Sequence, residues 1–105
     1  MNIQTVVICH YCNTDPETGI RKRASGIWRG RLPFAIVPKM IFSPATEEPG
    51  VELSEVSWDA EERELHATGY VVLDWEDALF SQLVESLMEA IGDVEVFEND
   101  SHGEE

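Results

Sequence analysis

The residues best suited to chemistry are Cys9, His10 and Cys12, in the run Val7-Ile8-Cys9-His10-Tyr11-Cys12-Asn13-Thr14-Asp15-Pro16. A C-x-x-C pair can hold zinc through two thiolates or cycle between dithiol and disulfide. A structural zinc takes four ligands, and the chain has no second C-x-x-C. A site would have to add His66 and a carboxylate to Cys9 and Cys12, or join two chains as Cys₄. His10, inside the knuckle, diverges from both sulfurs, and His102 sits near the C-terminus. The redox alternative needs the first cysteine at a helix N-terminus, where the dipole lowers the thiol pKa. Here an Asp15-Pro16 turn and β-forming residues follow instead. In an unbroken strand, residues three apart point to opposite faces, so one thiol is a small buried hydrophobe and the other lies near the turn. That structural reading leads. No cofactor is expected, with zinc on Cys9, Cys12 and His66 as the alternative.

The elements that would position these residues are legible in outline. Thr5 to Thr14 is rich in β-formers. Asp15-Pro16-Glu17-Thr18-Gly19 is a turn: Asp15 can bond downstream backbone, Pro16 presets φ, and Gly19 accepts positive φ in a G1 bulge. The return strand runs from Ile20 through Trp28. Leu32 to Phe42 is apolar but holds Pro33 and Pro38, which fits a broken or edge strand. Ser43 to Gly50 is a loop. Val51 to Trp58 and Arg63 to Leu73 form a second hairpin. In its later strand Leu65, Ala67, Gly69, Val71 and Leu73 share one face, and His66, Thr68, Tyr70 and Val72 share the other. Trp75 to Ile91 predicts an amphipathic helix with Asp74 at its N-cap and Gly92 as its stop. Its apolar stripe is Trp75, Leu79, Leu83, Leu87 and Ile91, flanked by Phe80, Val84 and Met88. Val94 to Phe97 can add a last strand. The expectation is one α+β domain over residues 1–98, with a mostly antiparallel sheet of five to six strands covered by one C-terminal helix. Residues 99–105 read as a disordered acidic tail.

Charge is the strongest compositional signal. The 105 residues hold 21 acids and 7 bases, a net −14, and the signs are segregated. Residues 1–45 carry Arg21, Lys22, Arg23, Arg29, Arg31 and Lys39 against Asp15 and Glu17, a balance of +4. The remainder carries 19 acids and the single base Arg63, a balance of −18. The acids gather at Asp59, Glu61, Glu62 and Glu64, at Asp74, Glu76 and Asp77, and at Glu85 and Glu89. A Ca²⁺ loop of the D-x-[DN]-x-[DN]-G-x₅-E type is absent. The basic strand with Trp28 and Phe34 has the composition of a nucleic-acid surface. The large acidic excess would repel the same polyanion, so direct nucleic-acid binding is not favoured. Trp28, Arg29 and Arg31, a large aromatic and two arginines between glycines, form a candidate contact site for a protein partner.

Catalysis finds little support. No P-loop, G-x-S-x-G, H-E-x-x-H or dinucleotide fingerprint occurs, and no catalytic residue is assigned. No apolar run approaches the ~20 residues that cross a bilayer, and the N-terminus lacks the basic region of a secretory signal. Two cysteines do not make a disulfide framework, so a reducing, cytoplasmic setting is expected. The leading expectation is a small acidic, non-enzymatic binding protein that meets a basic surface of a partner protein. DNA-mimic inhibitors and immunity or anti-defence proteins, including phage-encoded ones, share this size and charge. Its candidate contacts are Trp28, Arg29, Arg31, Asp59, Glu61, Glu62, Asp74, Glu76 and Asp77. The alternatives are a zinc-binding or nucleic-acid-associated domain using Cys9, Cys12 and the Arg21–Arg31 strand, and a structural subunit packed head to tail by its two-ended charge. A homodimer is compatible with each.

Overall fold

The β-branched run at the N-terminus builds the central strand, β1 (Ile3–Thr14), which pairs on both sides. β2 (Arg21–Leu32) returns antiparallel to it along its full length. A two-residue β3 (Ile41–Phe42), β4 (Val51–Asp59), β5 (Glu64–Leu73), helix α1 (Asp77–Ile91) and β6 (Val94–Asn99) complete the chain. The computed structural model describes residues 2–44, 49–92 and 94–99. The expected α+β architecture is present, as six strands in the order β3-β4-β5-β1-β2-β6 with one C-terminal helix. Asn99 closes β6, and the rest of the expected tail lies outside the described residues.

The sheet is mixed rather than mostly antiparallel, because β1 pairs parallel to β5. The cause is the segment after β2. Pro33 and Pro38 keep residues 33–38 off the ladder, and only at Lys39 and Met40 does the backbone bond to Leu53 of β4, so the chain crosses over before β4 and β5 form their own hairpin. That hairpin docks by β5 on the free side of β1. Since β6 is antiparallel to β2, it runs in the same direction as β5, and α1 is the crossover between them.

Both hairpins close with one turn design. Asp15 Oδ1 accepts from the N–H groups of Glu17 (2.8 Å) and Thr18 (3.3 Å), and Gly19 N–H donates to Asp15 C=O. Asp59 Oδ1 accepts from Glu61 (3.0 Å) and Glu62 (3.1 Å), and Arg63 N–H donates to Asp59 C=O. Gly19 and Arg63 both adopt positive φ, 75° and 60°. The position suits glycine, and Arg63 occupies it at some conformational cost.

The helix begins two residues later than Trp75, and Asp74 is not its cap. Asn13, buried on β1, grips Trp75 by its backbone: Trp75 N–H donates to Asn13 Oδ1 (2.8 Å), and Asn13 Nδ2 donates to Trp75 C=O (3.0 Å). With that carbonyl engaged, the first helical bond runs from Phe80 N–H to Glu76 C=O (3.0 Å). Glu76 holds the N-cap position without a side-chain cap. Asp77 N–H instead donates to Asp15 Oδ2 (3.3 Å), so the first hairpin turn caps the helix from a distance. Gly92, at φ 78°, ends the helix as expected.

One face of the sheet is covered. Val7, Cys9, Tyr11, Ala24, Val51, Leu53 and Ala67 pack with Phe80, Leu83, Val84 and Leu87 of the helix and with Ile36 from the crossover segment. The helical stripe is therefore narrower than expected. Leu79 and Met88 stand at its margins, about half exposed. Trp28 lies on this same face, edge-to-face with Phe42 at a centroid distance of 5.0 Å. Its ring folds over Gly30, where a Cβ would come within 2.8 Å of it.

Candidate functional site

Among the described residues none forms a covering layer over the other face of the sheet. Strand alternation delivers to it Val6, Ile8, His10 and Cys12 from β1 and His66, Thr68, Tyr70 and Val72 from β5. From β2 it receives Arg21, Arg23, Ser25, Ile27, Arg29 and Arg31, all odd-numbered and so on one side. Four of the seven cations thus form one row. All four guanidiniums are exposed, and among the described residues none makes an ion pair. Arg23 lies over the Phe97 ring of β6, 5.0 Å from its centroid. Beside them is a cleft of about 490 Å³ lined by Cys12, Thr14, Arg21, Arg23, Val72 and Phe97, among others.

Across the middle of this face His10 stacks on Tyr70, with centroids 4.8 Å apart, and its Nδ1 lies 2.8 Å from Ser25 Oγ. Burial and then the Arg23 charge push the His10 pKa below its ordinary value, so the imidazole is neutral at pH 7. His66 Nε2 pairs with Glu64 Oε1 at 2.8 Å. On the far side, β4 contributes Glu52, Glu55 and Ser57, opposite Tyr70, Thr68 and His66.

The candidate metal ligands do not meet. Cys9 points into the covered core and Cys12 to the open face, as the three-residue spacing requires of a continuous strand. Cys12 is level with Val72, six residues along β5 from His66, which places them ~20 Å apart along the strands. Among the described residues no group of three or more His, Cys, Asp or Glu side chains gathers to hold an ion. Burial pushes the Cys9 thiol up to about 12.

The candidate partner contacts divide similarly. Trp28 faces the helix side while Arg29 and Arg31 face the open side, so the three do not share a surface. Asp59, Glu61 and Glu62 lie at one end of β5, and Asp74, Glu76 and Asp77 at the other, ~30 Å away along the ten-residue strand. Asp59 is engaged in its turn, and Asp77 pairs with Lys22 at 2.5 Å. The second acidic group continues along the outer side of α1, where Glu85 and Glu89 are exposed and the helix carries no Lys or Arg. The sequence reading missed the alignment of Arg21, Arg23, Arg29 and Arg31. Their all-odd numbering within one strand was the available signal, and Ser25 and Ile27 interrupt it.

Fold and surface together define a two-layer α+β protein with one charge-patterned sheet face that no described residues cover. Comparison with known protein families, curated proteins and solved structures finds no match for the chain. Among the described residues no helix is long and apolar enough to cross a membrane.

Proposed function

We propose that the chain is a small, non-enzymatic acidic binding protein that engages a basic surface of a partner protein through the outer side of α1 and its N-terminal approach. The reading rests on one observation: four of the seven cations lie on the open sheet face, while α1 and its approach expose Asp74, Glu76, Glu85 and Glu89, with no base in the helix and Lys22 beside it paired to Asp77. A predominantly acidic surface of this kind steers encounter with a basic partner and repels acidic competitors. An inhibitor or immunity-type module that occupies the nucleic-acid surface of its target needs this property and no catalytic residue. The histidines support the same reading, since His10 is stacked and hydrogen-bonded and His66 is tied to Glu64 on the sheet surface.

The test is affinity capture with the wild-type chain and with Glu85→Lys/Glu89→Lys. Both glutamates are exposed and one helical turn apart, so reversing both keeps a like-charge pair and leaves helix stability nearly unchanged. A basic partner retained by the wild type, lost with the variant and released as salt rises is the expected result. Equal retention by both chains would refute the proposal. Competition by duplex DNA for that partner would identify the surface as phosphate-like.

A further inference from the structure

The open face carries the arginine row of β2 on one side of an apolar centre and Glu52, Glu55 and Asp59 of β4 on the other, with Glu95 of β6 at the outer edge of the arginine side. We propose that it is a homodimer interface, where a second copy packs sheet on sheet about a two-fold axis parallel to the strands, between β5 and β1. This proposal concerns the side of the sheet away from the helix and does not depend on the partner-binding reading above.

The axis follows from the strand order. The line between β5 and β1 divides β3-β4-β5-β1-β2-β6 into three and three. Rotation about it exchanges β5 with β1, β4 with β2 and β3 with β6, and keeps each residue at its own level along the strands. The arginine row of one copy then lies over the acidic side of the other. Arg29 is level with Val6, His66 and Ser57, so it faces a stretch of β4 with Glu55 on one side and Asp59 on the other. Arg31 extends toward the Asp59–Glu64 end. Arg23, level with Cys12 and Val72, falls one same-face position beyond Glu52. A two-fold axis across the strands would instead set arginine on arginine. Charge therefore selects one of the two arrangements, in the way like-charge juxtaposition excludes wrong pairings.

The apolar groups obey the same symmetry. Val72, 81% exposed, lies beside the axis with Ile8, Cys12 and the His10–Tyr70 stack. At the two edges Ile41 of β3, 64% exposed, comes opposite Phe97 of β6, one same-face position apart in level. Sheets pack about 10 Å apart, a gap that an arginine and a glutamate span together. Six strands over the nine-residue β5–β1 pairing make a face on the order of 700 Å², close to the ~800 Å² per partner of a stable complex. The arrangement also accounts for four arginines without ion pairs among the described residues of a chain with 21 acids. The contact is isologous and closes at two copies, unlike head-to-tail packing, which can continue.

Sedimentation equilibrium of the full chain tests this. The wild type should sediment at twice 11.8 kDa. Arg29→Glu/Arg31→Glu and Glu52→Arg/Glu55→Arg should each be folded by circular dichroism and monomeric, with dissociation constants raised at least ~100-fold. Mixed in equal amounts, the two reversed chains should recover the dimer mass, because each then meets its complement. Val72→Asp, which changes only the centre, should also give a folded monomer. Salt alone decides less, since it screens both the interface pairs and the repulsion between two acidic chains. A monomeric wild type, reversed chains that dimerise like the wild type, or a mixture that stays monomeric would each overturn the proposal. A monomeric wild type that binds oligothymidylate through the arginine row would assign the face to nucleic acid instead.

Discussion

The two faces of this sheet come from the same strands at alternate positions, and they differ in how their apolar groups are covered. On one face Val7, Cys9, Tyr11, Ala24, Leu53 and Ala67 are buried under α1 and Ile36. On the other, Ile8, Tyr70, Val72 and Phe97 share space with arginines and glutamates, and nothing in the described chain lies over them. The first face shows what the chain completes by itself. The second combines apolar residues, whose exposure to water is unfavourable, with hydrated charge that a complementary surface can pair.

The largest effect should separate the faces by stability. Leu87→Ala removes a fully buried side chain and should cost about 2–5 kcal/mol. That corresponds to roughly 4–8 °C in Tm for each kcal/mol in a domain of this size. Val72→Ser, measured in urea at concentrations low enough for the monomer to dominate, should stay within about 0.5 kcal/mol of wild type. Similar losses for both substitutions would mean that the open face is part of the monomer's own core.

The cysteines give a second contrast, read as a rate. Cys9 has no exposed surface and a thiol pushed up to about 12, while Cys12 is half-buried on the open face. A chromogenic disulfide reagent should take up one thiol per native chain promptly and the second only at the rate of unfolding. Two prompt thiols would break the distinction between faces. If the sheet-on-sheet dimer forms, Cys12 labelling should also slow as protein concentration rises.

Much of the fold was legible because it follows local rules. The Asp15–Gly19 turn, the alternation in β5 and the Gly92 stop each depend on a few neighbouring residues. The parallel β1–β5 pair was not legible, since it depends on which free edge the second hairpin finds after the crossover at Pro33 and Pro38. The helix start was misjudged for a related reason. Asp74 is a good capping residue by type, but Asn13 and Asp15, some 60 positions away in sequence, hold Trp75 and Asp77 instead. At the candidate site, the opposite facing of Cys9 and Cys12 needed only strand periodicity. The self-complementarity of the open face needed the strand order, which a charge count along the chain does not contain.

The smallest predicted effect is a pH slope that belongs to the open face. His10 packs on Tyr70 and Ser25, with Arg23 beside it and Glu52 and Glu95 one strand further out. Burial first, and Arg23 second, hold its folded pKa below the ordinary ~6.5 of an imidazole. On acidification the unfolded chain therefore takes up this proton first. Stability should fall as pH drops from ~6.5 through the lower folded value, and His10 should contribute no slope above that window. His10→Gln keeps a hydrogen-bonding group near Ser25 but cannot titrate, so urea unfolding of the variant should lose this component of the slope. Identical slopes for the two chains would show that His10 is less enclosed than its stack implies. Under conditions where the chain is paired, the same imidazole would lie beside the two-fold axis and be enclosed further. The slope should then steepen with protein concentration in the wild type and not in Val72→Asp, which ties the titration of one open-face residue to whether that face is covered.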